Sequence, residues 1–175
     1  MSTVQRNRAP HMIAITALAL GVFLIGVPTA RADGADVYGV GAGSINLGGS
    51  QKAVKFSFSA HSGPTGDFGS VRLTIEPPLA PLDVDVDVDC VHVLPNPPGA
   101  GGWVGGRVKR VTPSPNAYNI SPGDELLFGI NDYGNPNGAI PDQFNLYFGS
   151  PQLCKQLGPI PQIPISQGNI NIKLP

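Results

Sequence analysis

The sequence predicts an all-β protein, an antiparallel β-sandwich of about seven strands with one disulfide. Apolar and polar residues alternate with period two in several short segments, which is the pattern of half-buried strands. Clusters of glycine and proline separate these segments, and no segment has apolar residues at helical spacing over three turns. These features favour an antiparallel sandwich over an α/β fold.

Each predicted strand follows from its own alternation. In the first, Val54, Phe56 and Phe58 alternate with polar residues, and in the second Val71 and Leu73 do the same. The longest begins at residue 82. The seven strands are predicted around residues 54–60, 71–75, 82–94, 103–111, 126–130, 144–148 and 170–174.

The N-terminal residues 1–32 have the features of a Sec signal peptide. Arg6 and Arg8 precede an apolar run of 16 residues that ends before Pro28, and Ala30 and Ala32 occupy the positions that signal peptidase reads. The run is shorter than the roughly 18 to 20 residues that span a bilayer. We therefore expect an exported chain with no membrane span in its mature part.

After cleavage, residues 33–50 are predicted to be a flexible glycine-rich lead-in that ends in a weak strand, and residues 51–175 the β-sandwich domain. The mature chain has 143 residues, with eight basic and 12 acidic side chains. This length is enough for one core. The net charge of −4 disfavours nucleic acid as a partner, because no basic surface would attract its phosphates.

Cys90 and Cys154 are the only cysteines. An exported chain meets an oxidising compartment, so these two are expected to form one disulfide. A metal site built on them is the alternative, but no histidine or third cysteine stands at ligand spacing.

The stretch 82–93, LDVDVDVDCVHV, places four carboxylates on one face of a strand. Strict alternation predicts that Val88 and Cys90 face the core, while Asp87 and Asp89 face solvent. Carboxylates two residues apart on a strand are about 6.6 to 6.8 Å apart and parallel. They cannot converge on one calcium ion.

The acidic face instead predicts charge pairing with the following strand. If residues 95–101 turn a hairpin, one register places Asp89 opposite Arg107 and Asp87 opposite Lys109. The same register sets Cys90 opposite Gly106, where the absence of a side chain leaves room for the disulfide. Such pairs contribute about 0.2 to 1 kcal/mol each, so they select the register more than they stabilise the fold.

The loop at 131–142, NDYGNPNGAIPD, is a candidate calcium site. A loop can bring oxygen ligands together, and the candidates are Asp132, Asn135, Asn137 and Asp142. The stretch lacks the early Asp and closing Glu of an EF-hand. Ordinary turn formation is the alternative, because Asn and Asp before Gly are frequent in turns.

Few residues suggest catalysis. The mature chain has two histidines, His61 in a turn and His92 in phase with the core. No Gly-x-Ser-x-Gly or His-Glu-x-x-His motif occurs, and the disulfide would leave no free thiol. A hydrolase acting on envelope polymers would need one histidine beside a carboxylate in a cleft, so we expect no enzyme.

Short motifs over about half of the mature chain resemble a group of exported actinobacterial proteins, some labelled repetin or post-COAP-1. The resembling segments are 88–93, 105–108, 123–128, 132–134, 141–144 and 168–170. The chain departs from the usual Asp-Asn-Gly of this group, with Tyr133 in the middle position. The resemblance implies a small β-sandwich without known catalytic residues.

The sequence therefore predicts a secreted, non-catalytic protein that binds an unknown protein or carbohydrate ligand or associates with the cell envelope. A binding module stabilised by calcium is the first alternative, and the envelope-polymer hydrolase is the second. No cofactor other than calcium is suggested.

Overall fold

The computed structural model describes residues 36–47, 50–134 and 140–175, which belong to one compact unit, Ala32–Pro175. Within these ranges the chain forms eight strands and one 3-10 helix, Pro151–Gln156. The strands are β1 Val37–Leu47, β2 Ser50–Gly63, β3 Gly66–Ile75, β4 Leu82–Asn96, β5 Gly99–Thr112, β6 Glu125–Asp132, β7 Gln143–Phe148 and β8 Ile163–Lys173. The predicted signal peptide lies outside the described residues.

The strands form one closed antiparallel barrel in chain order. Each strand pairs with the next, and β8 closes the barrel by pairing with β1, for example Ile170 with Gly41. The all-β antiparallel class is confirmed, but the sandwich of about seven strands is wrong. Alternation shows which face of a strand is buried, whereas closure depends on a contact between the two ends of the chain.

The structure describes residues 36–47 of the predicted lead-in and forms strand β1 there, which is longer than the weak strand predicted at its end. Residues 37–47 pair with β2, and residues 38–45 also pair with β8. Glycines recur at alternate positions, Gly39, Gly41 and Gly43, and a Cβ atom at Gly41 would lie only 2.6 Å from Phe58 Cε1. The glycine stripe therefore makes room for aromatic rings inside the barrel, which is one use of glycine within a strand.

The barrel interior is filled by apolar side chains from all eight strands. Phe144 stacks on Phe56 with ring centroids 3.9 Å apart, and Phe128 lies 5.8 Å from Phe144. Burying each such ring contributes about 1.5 to 3 kcal/mol. The interior is therefore a packed core along most of its length.

The acidic stretch in β4 has the predicted two faces up to Val88. Leu82, Val84 and Val86 are buried, while Asp87 and Asp89 are exposed. On the outer face, Arg110 donates to Asp85 from the neighbouring strand β5. These carboxylates therefore belong to a solvated, charge-paired sheet surface.

The predicted register of β4 against β5 is wrong, by two residues at Asp87 and by one at Cys90. Asp87, and not Asp89, lies opposite Arg107, because β-bulges interrupt the ladder between Asp85 and Val86 and between Val88 and Cys90. Both predicted ion pairs are nevertheless present. Arg107 Nε lies 3.7 Å from Asp89 Oδ2, and Lys109 Nζ lies 3.3 Å from Asp87 Oδ1.

Arg107 has a second and closer partner, since its guanidinium lies 2.5 Å from Glu125 Oε1. Burial raises the pKa of Asp89, and the attraction of Arg107 does not overcome this effect. The Glu125 contact is thus the stronger reason for a positive charge at position 107.

We expect Arg107→Glu to lower the free energy of unfolding by about 1 kcal/mol, because the new carboxylate would face Glu125 and Asp89. Urea denaturation measures this loss. Lys109→Glu is the matched control with a smaller expected loss, because Lys109 and its partner Asp87 are both largely exposed. An unchanged urea midpoint for Arg107→Glu would show that the ion pairs of Arg107 do not contribute to stability.

The bulge after Val88 also turns Cys90 to the outer face of the barrel, so the prediction that it faces the core is wrong. Cys90 packs with Trp103, Leu127 and Cys154 in a cluster separate from the main core. The predicted disulfide between Cys90 and Cys154 is confirmed, with a Cα–Cα distance of 6.3 Å.

A glycine does face Cys90, but it is Gly105 instead of Gly106. A Cβ atom there would lie 3.1 Å from the Pro151 Cα atom. Gly105 therefore lets the 3-10 helix approach the barrel wall and bring Cys154 to Cys90.

Candidate functional site

The predicted calcium loop lies between β6 and β7. Its two aspartates are buried, with Asp132 8% and Asp142 4% exposed. The other two predicted ligands, Asn135 and Asn137, lie outside the described residues. Calcium binding by these four residues stays a prediction.

Both aspartates accept hydrogen bonds from the backbone through each of their oxygens. Asp142 accepts from the Tyr133 and Ile170 N–H groups at 2.9 and 2.7 Å. Asp132 accepts from Gly134 and Ile172, both at 2.7 Å. Among the described residues, no group of three or more histidine, cysteine or acidic side chains could hold a metal ion.

These carboxylates complete the barrel where strand pairing is short. Strands β7 and β8 pair only at Gln143 with Pro164 and at Phe144 with Ile163. Further along β8, the N–H groups of Ile170 and Ile172 donate to the side chains of Asp142 and Asp132. The two aspartates therefore act as structural links between the β6–β7 loop and β8.

The two histidines lie on different strands, β2 and β4. His61 Nε2 lies 3.7 Å from Asp36 Oδ2, and its ring lies 4.7 Å from the exposed Phe68 ring. Its Nδ1 atom is buried and has no hydrogen-bond partner among the described residues. This arrangement orients the ring against the β2–β3 hairpin.

Around Val91, side chains replace a missing strand contact. The pairing of β3 with β4 ends at Gly69 and Val88. Asp67 Oδ2 then accepts from the Val91 N–H at 3.0 Å, and Lys155 donates to the Val91 carbonyl at 2.6 Å and to Asp67 at 2.5 Å. Burial opposes ionisation of Asp67, but these hydrogen bonds outweigh it, so its pKa is lowered.

His92 lies next to this ion pair. Burial lowers the pKa of His92, and the positive charge of Lys155 lowers it further, while Asp67 acts in the opposite direction. The neutral imidazole is therefore favoured in the folded protein.

We expect the free energy of unfolding to fall as the pH drops from about 8 to about 6. In this range the unfolded chain binds a proton at His92 near its ordinary pKa of about 6.5, whereas the folded chain resists protonation. Urea denaturation at several pH values measures the slope. His92→Gln should flatten it, and an unchanged slope in this variant would contradict the assignment.

An apolar cavity of about 180 Å³ lies at the end of the barrel where β1 ends and β2 begins. None of its lining residues is charged. They are Ile45, Val54, Leu73, Ile75, Tyr118, Ile120, Phe144, Asn145, Leu146 and Phe148. This is the strongest candidate for a binding site, because ligand sites are concave and mainly apolar and occur in the mouths of β-barrels.

The connection from β5 to β6 forms one wall of the cavity. Asn116 organises this loop, since its Oδ1 atom accepts from the Tyr118 and Ile120 N–H groups and its Nδ2 atom donates to the Ile120 carbonyl. Tyr118 then donates its hydroxyl hydrogen to the Ala80 carbonyl at 3.0 Å. These bonds place the rings and methyl groups of the loop over the barrel end.

The opposite wall is β7, at the part of the strand that β8 leaves unpaired. Leu146 is partly buried, and Phe148 is 67% exposed at the rim. Among the described residues, no strand pairs with β7 on the β8 side beyond Phe144. The cavity therefore lies beside a gap in the barrel wall.

None of the cavity residues was predicted as functional from the sequence. The sequence places Leu146 and Phe148 only on the predicted strand 144–148, and it places Tyr118 and Ile120 between two predicted strands. The one signal in the sequence is the pair of large apolar residues, Tyr118 and Ile120, within the polar stretch 112–121, TPSPNAYNIS. Two large apolar residues in a polar loop indicate that the loop packs onto the hydrophobic core.

The part of the chain that the structure describes contains no helix with the length and hydropathy of a membrane span. Comparison with protein-family models, with curated proteins and with solved structures finds no match for this chain.

Proposed function

We propose that the chain is an exported, non-catalytic binding protein whose ligand places an apolar group in the cavity at the barrel end. The cavity itself is the observation that carries this proposal. An apolar protein cavity of roughly 150 Å³ can stay dry and bind benzene. At about 180 Å³, this one suits a single ring or a branched aliphatic group.

The composition of the lining narrows the class of ligand. A plain carbohydrate needs several hydrogen-bonding partners, and here Tyr118 and Asn145 are the only lining residues with polar side chains. Asn145 already accepts from the neighbouring Leu146 N–H. A ligand with an apolar group is thus favoured over an unsubstituted sugar.

Export and association with the cell envelope are part of the same proposal. The buried disulfide suits an oxidising compartment, and the apolar run at the N-terminus has the pattern of a signal peptide. Membership of the exported actinobacterial group that the sequence resembles stays a proposal as well.

Toluene is a suitable probe for the cavity. We expect it to shift the amide NMR signals of the cavity residues and to raise the melting temperature, because a ligand that binds only the folded state stabilises it. Leu146→Trp should abolish both effects by filling the cavity with an indole ring.

Leu153→Trp is the matched control, because Leu153 is exposed on the 3-10 helix and does not line the cavity. It should bind toluene like the wild type. Circular dichroism establishes that both variants are folded. Absence of any toluene effect on the wild type would overturn the proposed function.

A further inference from the structure

We infer that the ligand of this cavity is an extended peptide, which adds as a strand to the open edge of β7 at Asn145–Phe148 and inserts one apolar side chain. This inference rests on the proposed function, because it requires the cavity to accept an apolar group. It goes further because it states that the apolar group belongs to a peptide whose main chain pairs with β7.

In the part of the chain that the structure describes, the edge of β7 is open, because the segment before β8 turns away from it. A continued antiparallel ladder would set Gln162 opposite Asn145 and Pro161 opposite Leu146, but the pairing stops at Ile163. The Gln162 N–H donates instead to the Gln143 side chain, and the Ile160 carbonyl accepts from Asn131. Residues 160–162 are therefore held by side chains and not by the main chain of β7.

Two features of the sequence keep this segment off the edge. Pro159 and Pro161 have no N–H group to donate to a ladder. Gly129 in β6 has no side chain, and a Cβ atom there would collide with Gln162. The outer surface of β6 thus accommodates Gln162, which also accepts from the Tyr147 hydroxyl at 2.9 Å.

One main-chain donor on this edge of β7 is satisfied by a neighbouring side chain. The Leu146 N–H donates to the Asn145 side chain at 2.9 Å. Bonds between adjacent residues of this kind compete with strand pairing. An incoming strand can replace this local contact with main-chain hydrogen bonds, which is how peptides add to sheet edges.

The cavity supplies the specificity that such an edge lacks. Alternate side chains of an added strand point to one face, and the inner face here is the cavity, with Leu146 and Phe144 beside it. Its volume of about 180 Å³ accepts one leucine or phenylalanine side chain and not a long acyl chain. A free hydrocarbon would leave the hydrogen-bonding edge unused.

Calorimetric titration with three pentapeptides, each acetylated and amidated, tests this inference on the full mature chain. The first has leucine at its centre and serine elsewhere. The second is the same peptide with N-methyl groups on alternate backbone nitrogens, and the third has serine at the centre. We expect the first to bind, the second to bind roughly ten-fold more weakly because it loses main-chain hydrogen bonds, and the third not to bind.

Toluene separates this inference from the proposed function. If toluene binds but the first two peptides bind equally, or neither binds, the cavity accepts apolar groups and the strand-addition inference is overturned. If toluene itself does not bind, the proposed function fails. Leu146→Trp should abolish binding of the leucine peptide, and Leu153→Trp should leave it unchanged.

Discussion

Removing the disulfide by Cys90→Ala and Cys154→Ala together is expected to lower the free energy of unfolding by about 3 to 4 kcal/mol. The two cysteines are 64 residues apart, and in the chain-entropy model a loop of this length contributes about 4 kcal/mol by restricting the unfolded chain. The bond also holds the 3-10 helix over Trp103, whose indole N–H donates to the Gly158 carbonyl. Loss of the disulfide should therefore first loosen the cluster around Trp103 and Leu127 on the outside of the barrel.

Urea denaturation of the double variant and of the wild type measures the effect. Reduction of the wild type with dithiothreitol serves as the control and should reproduce most of the loss, while the same reagent should not change the double variant. A midpoint that does not move in either experiment would contradict the stabilising role of this bond.

Asp142→Asn is expected to lower the free energy of unfolding by about 2 to 3 kcal/mol. The carboxylate accepts from two backbone N–H groups, those of Tyr133 and Ile170. An amide has one oxygen and one NH₂ group, so one of these buried donors would face another donor. Leaving a buried polar group unsatisfied costs about 1 to 3 kcal/mol, and more where a charged acceptor is lost.

The matched control is Asp87→Asn, because Asp87 is 62% exposed. Its loss should stay below about 0.5 kcal/mol, as for most surface substitutions. Equal losses for the two variants would show that Asp142 has no special structural role.

The same measurements with calcium and with EDTA test the metal hypothesis. Because Asp132 and Asp142 already accept four backbone N–H groups, we expect equal melting temperatures in the two conditions. A rise with calcium that Asp142→Asn removes would instead support a site formed with Asn135 and Asn137.

Most of the strands could be predicted from the sequence because their alternation is local. The pattern from Val54 to Ala60 needs no partner to indicate which face is buried, and the structure buries that face. Strand β1 is predicted only as a weak strand, because three of its inward positions are glycines and give little apolar alternation. Its place is set by the rings of Phe56 and Phe58 on the next strand.

The candidate site was harder to predict because it depends on where the pairing of β7 with β8 stops. The predicted ion pairs formed, but bulges next to Asp89 and Lys109 changed the register, and nothing in an alternating stretch marks a bulge in advance. The cavity depends on Phe148 lying beside an edge that β8 does not cover, and this follows from where the Gln162 segment binds.

The sequence by itself determined the all-β class, the pairing of the only two cysteines and the inner and outer faces of most strands. These properties follow from side-chain polarity at period two and from residue counts, which do not depend on distant contacts. Only the tertiary structure decided that the strands close into a barrel, that Cys90 faces outward and that a gap beside β7 leaves an apolar cavity. Each of these depends on register and closure between segments far apart in the chain, and neighbouring residues do not specify them.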